Sequence, residues 1–240
     1  KYQALMSNTY CKAQHAVHSY MHGYAPLHFW FCEYWGAALP LCALKYHEVV
    51  IEVKWAETPD IGFPYEMWAK TIWLGNDEKR NFVEAPQLSY LIDQWQNSET
   101  IKNLEQKSIE LGFRHPVRAL ILDIKDRFIN DRYQKVRLTT NGIDICNIGL
   151  DQAEYDIYYH CPFGTLEDYR VRYPIIPFAL DLSTNQPSGS LNFSRLEDVK
   201  LVSDDEFEEH EKSVLGSTIT AVSTNIFTIK NGMGGLVFAN

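Results

Sequence analysis

Gln186-Pro187-Ser188-Gly189-Ser190-Leu191-Asn192-Phe193-Ser194-Arg195-Leu196 spells a turn that opens into a strand. Pro-Ser-Gly is turn chemistry, because proline presets one backbone angle and glycine tolerates the left-handed region. Beyond it Leu191 and Phe193 share one face of an extended chain, and Arg195 falls on that same face. A buried arginine is costly unless paired, so Arg195 is expected to meet Glu197, Asp198 or several carbonyls.

The same turn-and-strand alternation fills the chain after Gln96. Strands are expected at 108–113, 117–125, 133–139, 155–161, 175–182, 191–196, 199–202, 217–222 and 225–230. Turn signals separate most of them: Asn141-Gly142, Pro162 to Gly164, Pro187 to Gly189 and Asn231-Gly232. So many short strands with no second long helix mean an all-β antiparallel sandwich or barrel.

Upstream the text is more varied. Phe29-Trp30-Phe31 reads as a short buried strand. From His47 to Trp55 apolar Val49, Ile51, Val53 and Trp55 alternate with Glu48, Glu52 and Lys54, a strand with one face in a core. Pro59, Gly62 and Pro64 mark a loop, and Trp68 to Leu74 reads as another strand. Residues 76–96 form the best helical stretch. Asn76 is placed to cap it, and Asp77 and Glu78 suit its positive end. Leu88, Leu91, Ile92 and Trp95 follow helical spacing, as a stripe that would pin a connector between two bodies.

Composition excludes several classes. The 240 residues are 45% hydrophobic and 22% charged, which is ordinary for a globular chain and sets aside disorder. The 22 Lys+Arg against 31 Asp+Glu give a net charge of −9, which repels phosphate and argues against direct nucleic-acid binding. The apolar runs are too interrupted to supply the roughly 20 residues of a spanning helix, so no transmembrane segment is expected. Cys11, Cys32, Cys42, Cys146 and Cys161 include no CxxC pair and read as reduced thiols. The opening at Lys1 reads as the middle of a structure, hence part of a longer chain.

A search for chemistry finds no site. His15, His18 and His22 have helical spacing, but no carboxylate or cysteine completes a metal set. There is no HxH for a metal-holding cupin, no HExxH around His47-Glu48 and no GxSxG elbow. Gly232-Met233-Gly234-Gly235 reads as a turn rather than a phosphate loop. The carboxylates of 204–211 (Asp204, Asp205, Glu206, Glu208, Glu209 and Glu211) lack the spacing of a calcium loop and read as a solvated surface stretch. Asn192-Phe193-Ser194 fits a glycosylation acceptor, but its aromatic centre and strand context favour packing. No catalytic, metal or cofactor site is expected.

Five segments, in order, resemble the major capsid proteins of the nucleocytoplasmic large DNA viruses. They are Phe29 to Cys32 with Ala38 to Val49; Asp77 to Phe82 running to Tyr90-Leu91-Ile92; Leu111-x-Phe113-x-His115-Pro116-Val117-Arg118-Ala119-Leu120; Phe178-Ala179-Leu180 with Gln186 to Leu196; and Asn225-Ile226 to Leu236. Glu33, Tyr34 and Glu197 depart from the family pattern, and 126–174 matches little of it. The resemblance covers residues 29 to 238. It implies a double jelly roll: 1–75 as the C-terminal strands of a first, incomplete barrel, 76–96 as a short helical connector, and 97–240 as a second jelly roll. The motif residues carried over are His115, Pro116, Gln186, Pro187, Ser188, Gly189, Asn192, Phe193, Ser194 and Arg195.

The resemblance further implies a structural virion protein, not an enzyme. It would assemble in the host cytoplasm as a homotrimer whose pseudo-hexagonal capsomers tile an icosahedral shell. Its partners would be neighbouring trimers and minor capsid and penton proteins. The alternative is a glycan-binding jelly roll of a viral spike or fibre, which would gather exposed aromatics at one end of the second barrel.

Overall fold

In the computed structural model of the chain, the described residues are 27, 29–32, 34–53, 67–98, 108–123, 135–149, 160, 175–182, 186–203 and 218–238. They divide between two compact units. The first includes Leu91–Asn225 and the second comprises Phe29–Tyr90 and Ile226–Val237. Strands dominate: β1 (Leu88–Asn97), β2 (Ser108–Glu110), β3 (Pro116–Asp123), β4 (Lys135–Thr140), β5 (Ile143–Gly149), β6 (Ile175–Pro177), β7 (Leu191–Asn192), β8 (Val199–Ser203), β9 (Thr218–Lys230) and β10 (Met233–Leu236).

These strands build two sheets. One runs β1-β9-β3-β6, with β7 added to β3 and β10 to β9; the other runs β2-β8-β4-β5. The pairs β10–β9, β2–β8, β3–β6, β3–β7, β3–β9, β4–β5 and β4–β8 are antiparallel. Following the chain, β1 lies in the first sheet, β2 in the second, β3 in the first, β4 and β5 in the second, β6 in the first, β8 in the second and β9 in the first. That alternation is the path of a jelly roll, eight strands folded as two Greek keys.

A single core joins the two sheets. Leu120 and Leu122 of β3, Ile176 of β6 and Ile219 of β9 pack with Ile109 of β2, Val136 and Leu138 of β4 and Leu201 of β8. Val117 joins them despite its odd position relative to Leu120. The register of β3 against β9 shifts between Val117 and Ala119, and this bulge resets the alternation. β3 and β9 are interior strands of their sheet, which explains why Val117 to Leu122 is one continuous buried run.

The second unit has a smaller core of Ala43, Leu44 and Ile229, with Leu39, Phe82, Leu88, Tyr90 and Phe227 against it. Here the β9–β10 hairpin turns at Asn231-Gly232 and meets the segment around Leu44. Tyr46 N–H donates to the Gly232 carbonyl at 3.0 Å, and Gly234 N–H donates to His47 Nδ1 at 3.1 Å.

Several expectations are corrected. Helix α1 covers only Asn76–Glu84; its N-cap is Gly75, whose N–H donates to Glu78 Oε2 at 2.7 Å, and not Asn76. Ala85 turns extended ahead of Pro86, because proline excludes the helical region for the residue before it. The chain then enters β1, so Leu88, Leu91, Ile92 and Trp95 lie on a strand rather than a helical connector. Ile92 is buried and Leu88 half-buried, whereas Leu91 and Trp95 are exposed.

Trp30–Cys32 is a 3₁₀ turn, not a strand, and its Trp30 ring packs 4.8 Å from Tyr90 and 5.8 Å from Phe227. The described parts of 47–55 and 68–74 join no sheet, and Val49, Ile51 and Val53 are exposed. Alternation reports which side chains share a face; a strand also needs a neighbour for its backbone. The expected strands 217–222 and 225–230 are one strand, β9, and 191–196 is a strand only at Leu191–Asn192. The strand at 175–182 ends at Pro177. Apart from His160, the strand expected at 155–161 lies outside the described residues, as do His15, His18, His22 and the acidic stretch 204–211.

Candidate functional site

Two of the motif segments, 79 residues apart in sequence, meet at the start of β3. His115 adopts a left-handed φ of 71°, one of the few side chains for which that region is enriched. The turn aims its N–H at Ser194 Oγ (2.8 Å) and its carbonyl at Phe193 N–H (3.1 Å). Pro116, which has no N–H to offer, opens the strand opposite Asn192, and Val117 pairs with Leu191.

Asn192 Oδ1 then accepts from Ser194 N–H at 3.1 Å, capping the 3₁₀ turn Phe193–Arg195. That turn buries Phe193 between the rings of Phe113 and Phe178, each 6.1 Å away by centroid. It also swings Arg195 outward. Arg195 is exposed, contrary to the expectation of a buried and paired side chain, because the turn breaks the strand alternation that placed it inward.

The buried arginine is instead Arg118, in the bulge of β3 and 2% exposed. Its Nη1 donates to both carboxylate oxygens of Asp93 on β1, at 2.9 and 3.1 Å, and its Nη2 donates to the Asp181 carbonyl at 3.0 Å. That carbonyl also accepts from Ser188 Oγ, which in turn accepts from Asp181 N–H, both at 2.9 Å. Gly189 holds φ 138° with the Phe178 carbonyl so close that a Cβ would lie 2.7 Å from it. Thus Ser188 and Gly189 tie the segment after β6 to Arg118, whereas Gln186 and Pro187 remain exposed.

Burial pushes the Asp93 carboxyl above its ordinary range, against the pull of the Arg118 guanidinium. Desolvation outweighing attraction is the usual balance for a buried ion pair. Gln96 adds a further clasp: its amide oxygen accepts from Arg114 N–H at 2.9 Å and its Nε2 donates to the Arg114 carbonyl at 2.6 Å.

The polar atoms of both clusters engage backbone groups and each other. Their work is to fix where strands begin, turn and end. Among the described residues no group of three His, Cys, Asp or Glu side chains is placed to hold a metal ion, and no helix is long and apolar enough to cross a membrane. Sequence reasoning marked His115, Ser188, Gly189, Asn192 and Ser194 but passed over Arg118. The available signal was a charge inside the apolar run Val117 to Leu122, since a polar residue in such a run must be buried with a partner.

Comparison with known proteins then places this scaffold. Residues 3–77 match a family described as the major capsid protein N-terminus. The chain is 28% identical over 260 aligned residues to the major capsid protein of Pyramimonas orientalis virus, covering 90% of this chain and 61% of that protein. It is 27% identical over 294 residues to that of Paramecium bursaria Chlorella virus 1, covering 90% and 66%. This chain is similar to the major capsid proteins of these two viruses.

It spans less than two thirds of the length of these relatives. A quasi-atomic structure of the Chlorella virus capsid matches all of this chain and 78% of its own, with a TM-score of 0.70 at 21% identity, so the capsid fold is shared.

Proposed function

We propose that this chain is a shell-building subunit, not an enzyme, whose homotrimers form pseudo-hexagonal capsomers that tile an icosahedral virion capsid. The observation that carries this reading is the complete eight-strand path of β1 to β6, β8 and β9, in a chain related over 90% of its length to capsid proteins. In this reading residues 1–75 are the C-terminal part of a first jelly roll. The match of 3–77 to the capsid N-terminal family supports that assignment. The jelly roll from Leu88 onward is the second barrel. Neighbouring trimers, minor capsid proteins and penton proteins are its partners, with assembly in the host cytoplasm.

The glycan-binding alternative asks for aromatics gathered at one end of the second barrel. Among the described residues the most exposed indoles, Trp35, Trp68 and Trp73, all precede β1, so this reading is not favoured. Native mass spectrometry of the full-length viral protein tests the proposal. A trimer is expected, with an intersubunit area above the roughly 1,200 Å² of a specific interface. A protein that stays monomeric at micromolar concentration would overturn it.

A further inference from the structure

Two hairpins of this protein carry the same dipeptide in nearly the same backbone turn. Asn141-Gly142 joins β4 to β5, with φ of 49° and 76°; Asn231-Gly232 joins β9 to β10, with φ of 54° and 78°. Their surroundings differ. Asn141 and Gly142 are both exposed, and among the described residues a Cβ built on Gly142 would meet nothing within 4 Å; Asn231 is exposed as well, but its Gly232 is half-buried. A Cβ on Gly232 would lie 2.9 Å from Lys45 Cβ and 3.1 Å from the Tyr46 ring, and the Gly232 carbonyl accepts from Tyr46 N–H.

We propose that Asn141 is a site of spontaneous deamidation that the fold leaves open, while it shields the identical dipeptide at Asn231. The reaction needs only water and hydroxide. The Gly142 amide nitrogen gives up its proton to hydroxide and bonds to Asn141 Cγ. The Cγ–Nδ2 bond breaks, and ammonia leaves after taking a proton from water. The resulting five-membered succinimide takes up water at either carbonyl and opens to aspartate or isoaspartate. The sum is one water consumed and one ammonia released, with no change of oxidation state.

Glycine is the residue that least obstructs this attack, because it has no Cβ beside the nucleophilic nitrogen. The nitrogen must still leave its turn geometry to reach Cγ, so the local opening free energy sets the rate. At 141–142 opening displaces only solvent-exposed residues. The nearest anchor is Thr140 Oγ1, which donates to the Glu197 carbonyl and lies outside the turn pair. At 231–232 opening also breaks the Tyr46 hydrogen bond and strips the packing of Lys45 and Tyr46 from the glycine. Asn97-Ser98 is shielded by another route: Ser98 N–H, the would-be nucleophile, donates to the Ile219 carbonyl at 2.8 Å, and Asn97 Oδ1 accepts from Thr220 Oγ1 at 2.7 Å. Conversion at 141 places a new carboxylate on a chain already at −9, and the isoaspartate form lengthens the backbone at the hairpin tip.

The test is to age the purified full chain at mildly alkaline pH and map peptides by mass spectrometry with isoaspartate detection. Aspartate and isoaspartate are expected to accumulate at 141 several-fold faster than at 231, and Asn141→Gln should remove the faster product. In urea the two rates should converge, because each site is then an unprotected Asn-Gly. Equal or faster reaction at 231 in the native protein would overturn the proposal. So would a preference for 141 that persists unchanged in urea.

Discussion

Replacing Arg118 by methionine isolates the buried ion pair that ties β1 to β3. Methionine preserves much of the volume, so packing loss is kept small. What remains is a largely buried Asp93 carboxylate without the guanidinium that contacts both of its oxygens, and an Asp181 carbonyl deprived of one of two donors. Removing one member of such a pair costs about 3–5 kcal/mol, because the other charge stays buried alone.

The sign of the pH dependence follows from Asp93. Its folded-state pKa is already raised by burial, and Arg118 is the group pulling it down. Deleting Arg118 raises it further. A carboxyl with a raised folded pKa favours folding when protonated; that contribution is present below the unfolded pKa and is lost as pH rises through the folded value. The R118M variant should therefore show its largest deficit near neutral pH and recover part of it as pH falls toward the acid side of the folded pKa. Adding Asp93→Leu should restore stability, since an apolar pair is often as stable as a buried salt bridge. Urea unfolding followed by far-UV circular dichroism measures all three proteins across pH. A pH-independent R118M deficit below about 1 kcal/mol would refute the idea that this pair is buried and coupled.

Three further outcomes are expected. Gly189→Ala forces a Cβ to 2.7 Å from the Phe178 carbonyl at φ 138° and should cost about 1–3 kcal/mol, read as a lower melting temperature. Leu120→Ala in the core shared by both sheets should cost about 2–5 kcal/mol in urea unfolding; a near-neutral result would contradict the observed packing. Of the described cysteines, burial pushes the Cys146 thiol up, whereas Cys32 and Cys42 are exposed. A thiol reagent at neutral pH should label Cys32 and Cys42 first, and faster labelling of Cys146 would show that β5 opens readily.

Interior strands with local punctuation were legible from sequence. β3 announces itself by Pro116 and an apolar run broken only by Arg118, and β4 by its position before Asn141-Gly142. β1 was misread because Leu88, Leu91, Ile92 and Trp95 satisfy helical spacing, while the strand that makes it a strand, β9, lies more than a hundred residues later. Pairing at that distance leaves no mark in a local window. β5 escaped notice because it is the last strand of its sheet order and leaves Ile143 and Ile145 exposed, so its alternation does not sort apolar from polar by burial. At the site, turn chemistry flagged the right segments. The side-chain cap on Asn192 that rotates Arg195 outward, and the bulge that seats Arg118, are tertiary outcomes no spacing rule contains.

The position of β9 bears on when this protein can fold. It sits between β1 and β3 in its sheet, yet its residues, Thr218–Lys230, are made long after both. During synthesis β1 and β3 must wait with bare backbone edges until Lys230 has cleared the ribosome, and only then can that sheet close. Contacts so distant in sequence carry a loop-closure cost before any native pairing rewards it, so folding should be slow and should await the synthesis of β9. Through that interval the nascent chain presents unpaired strands to every identical chain being made beside it. A protein with this topology therefore depends on chaperone capacity or on rapid assembly.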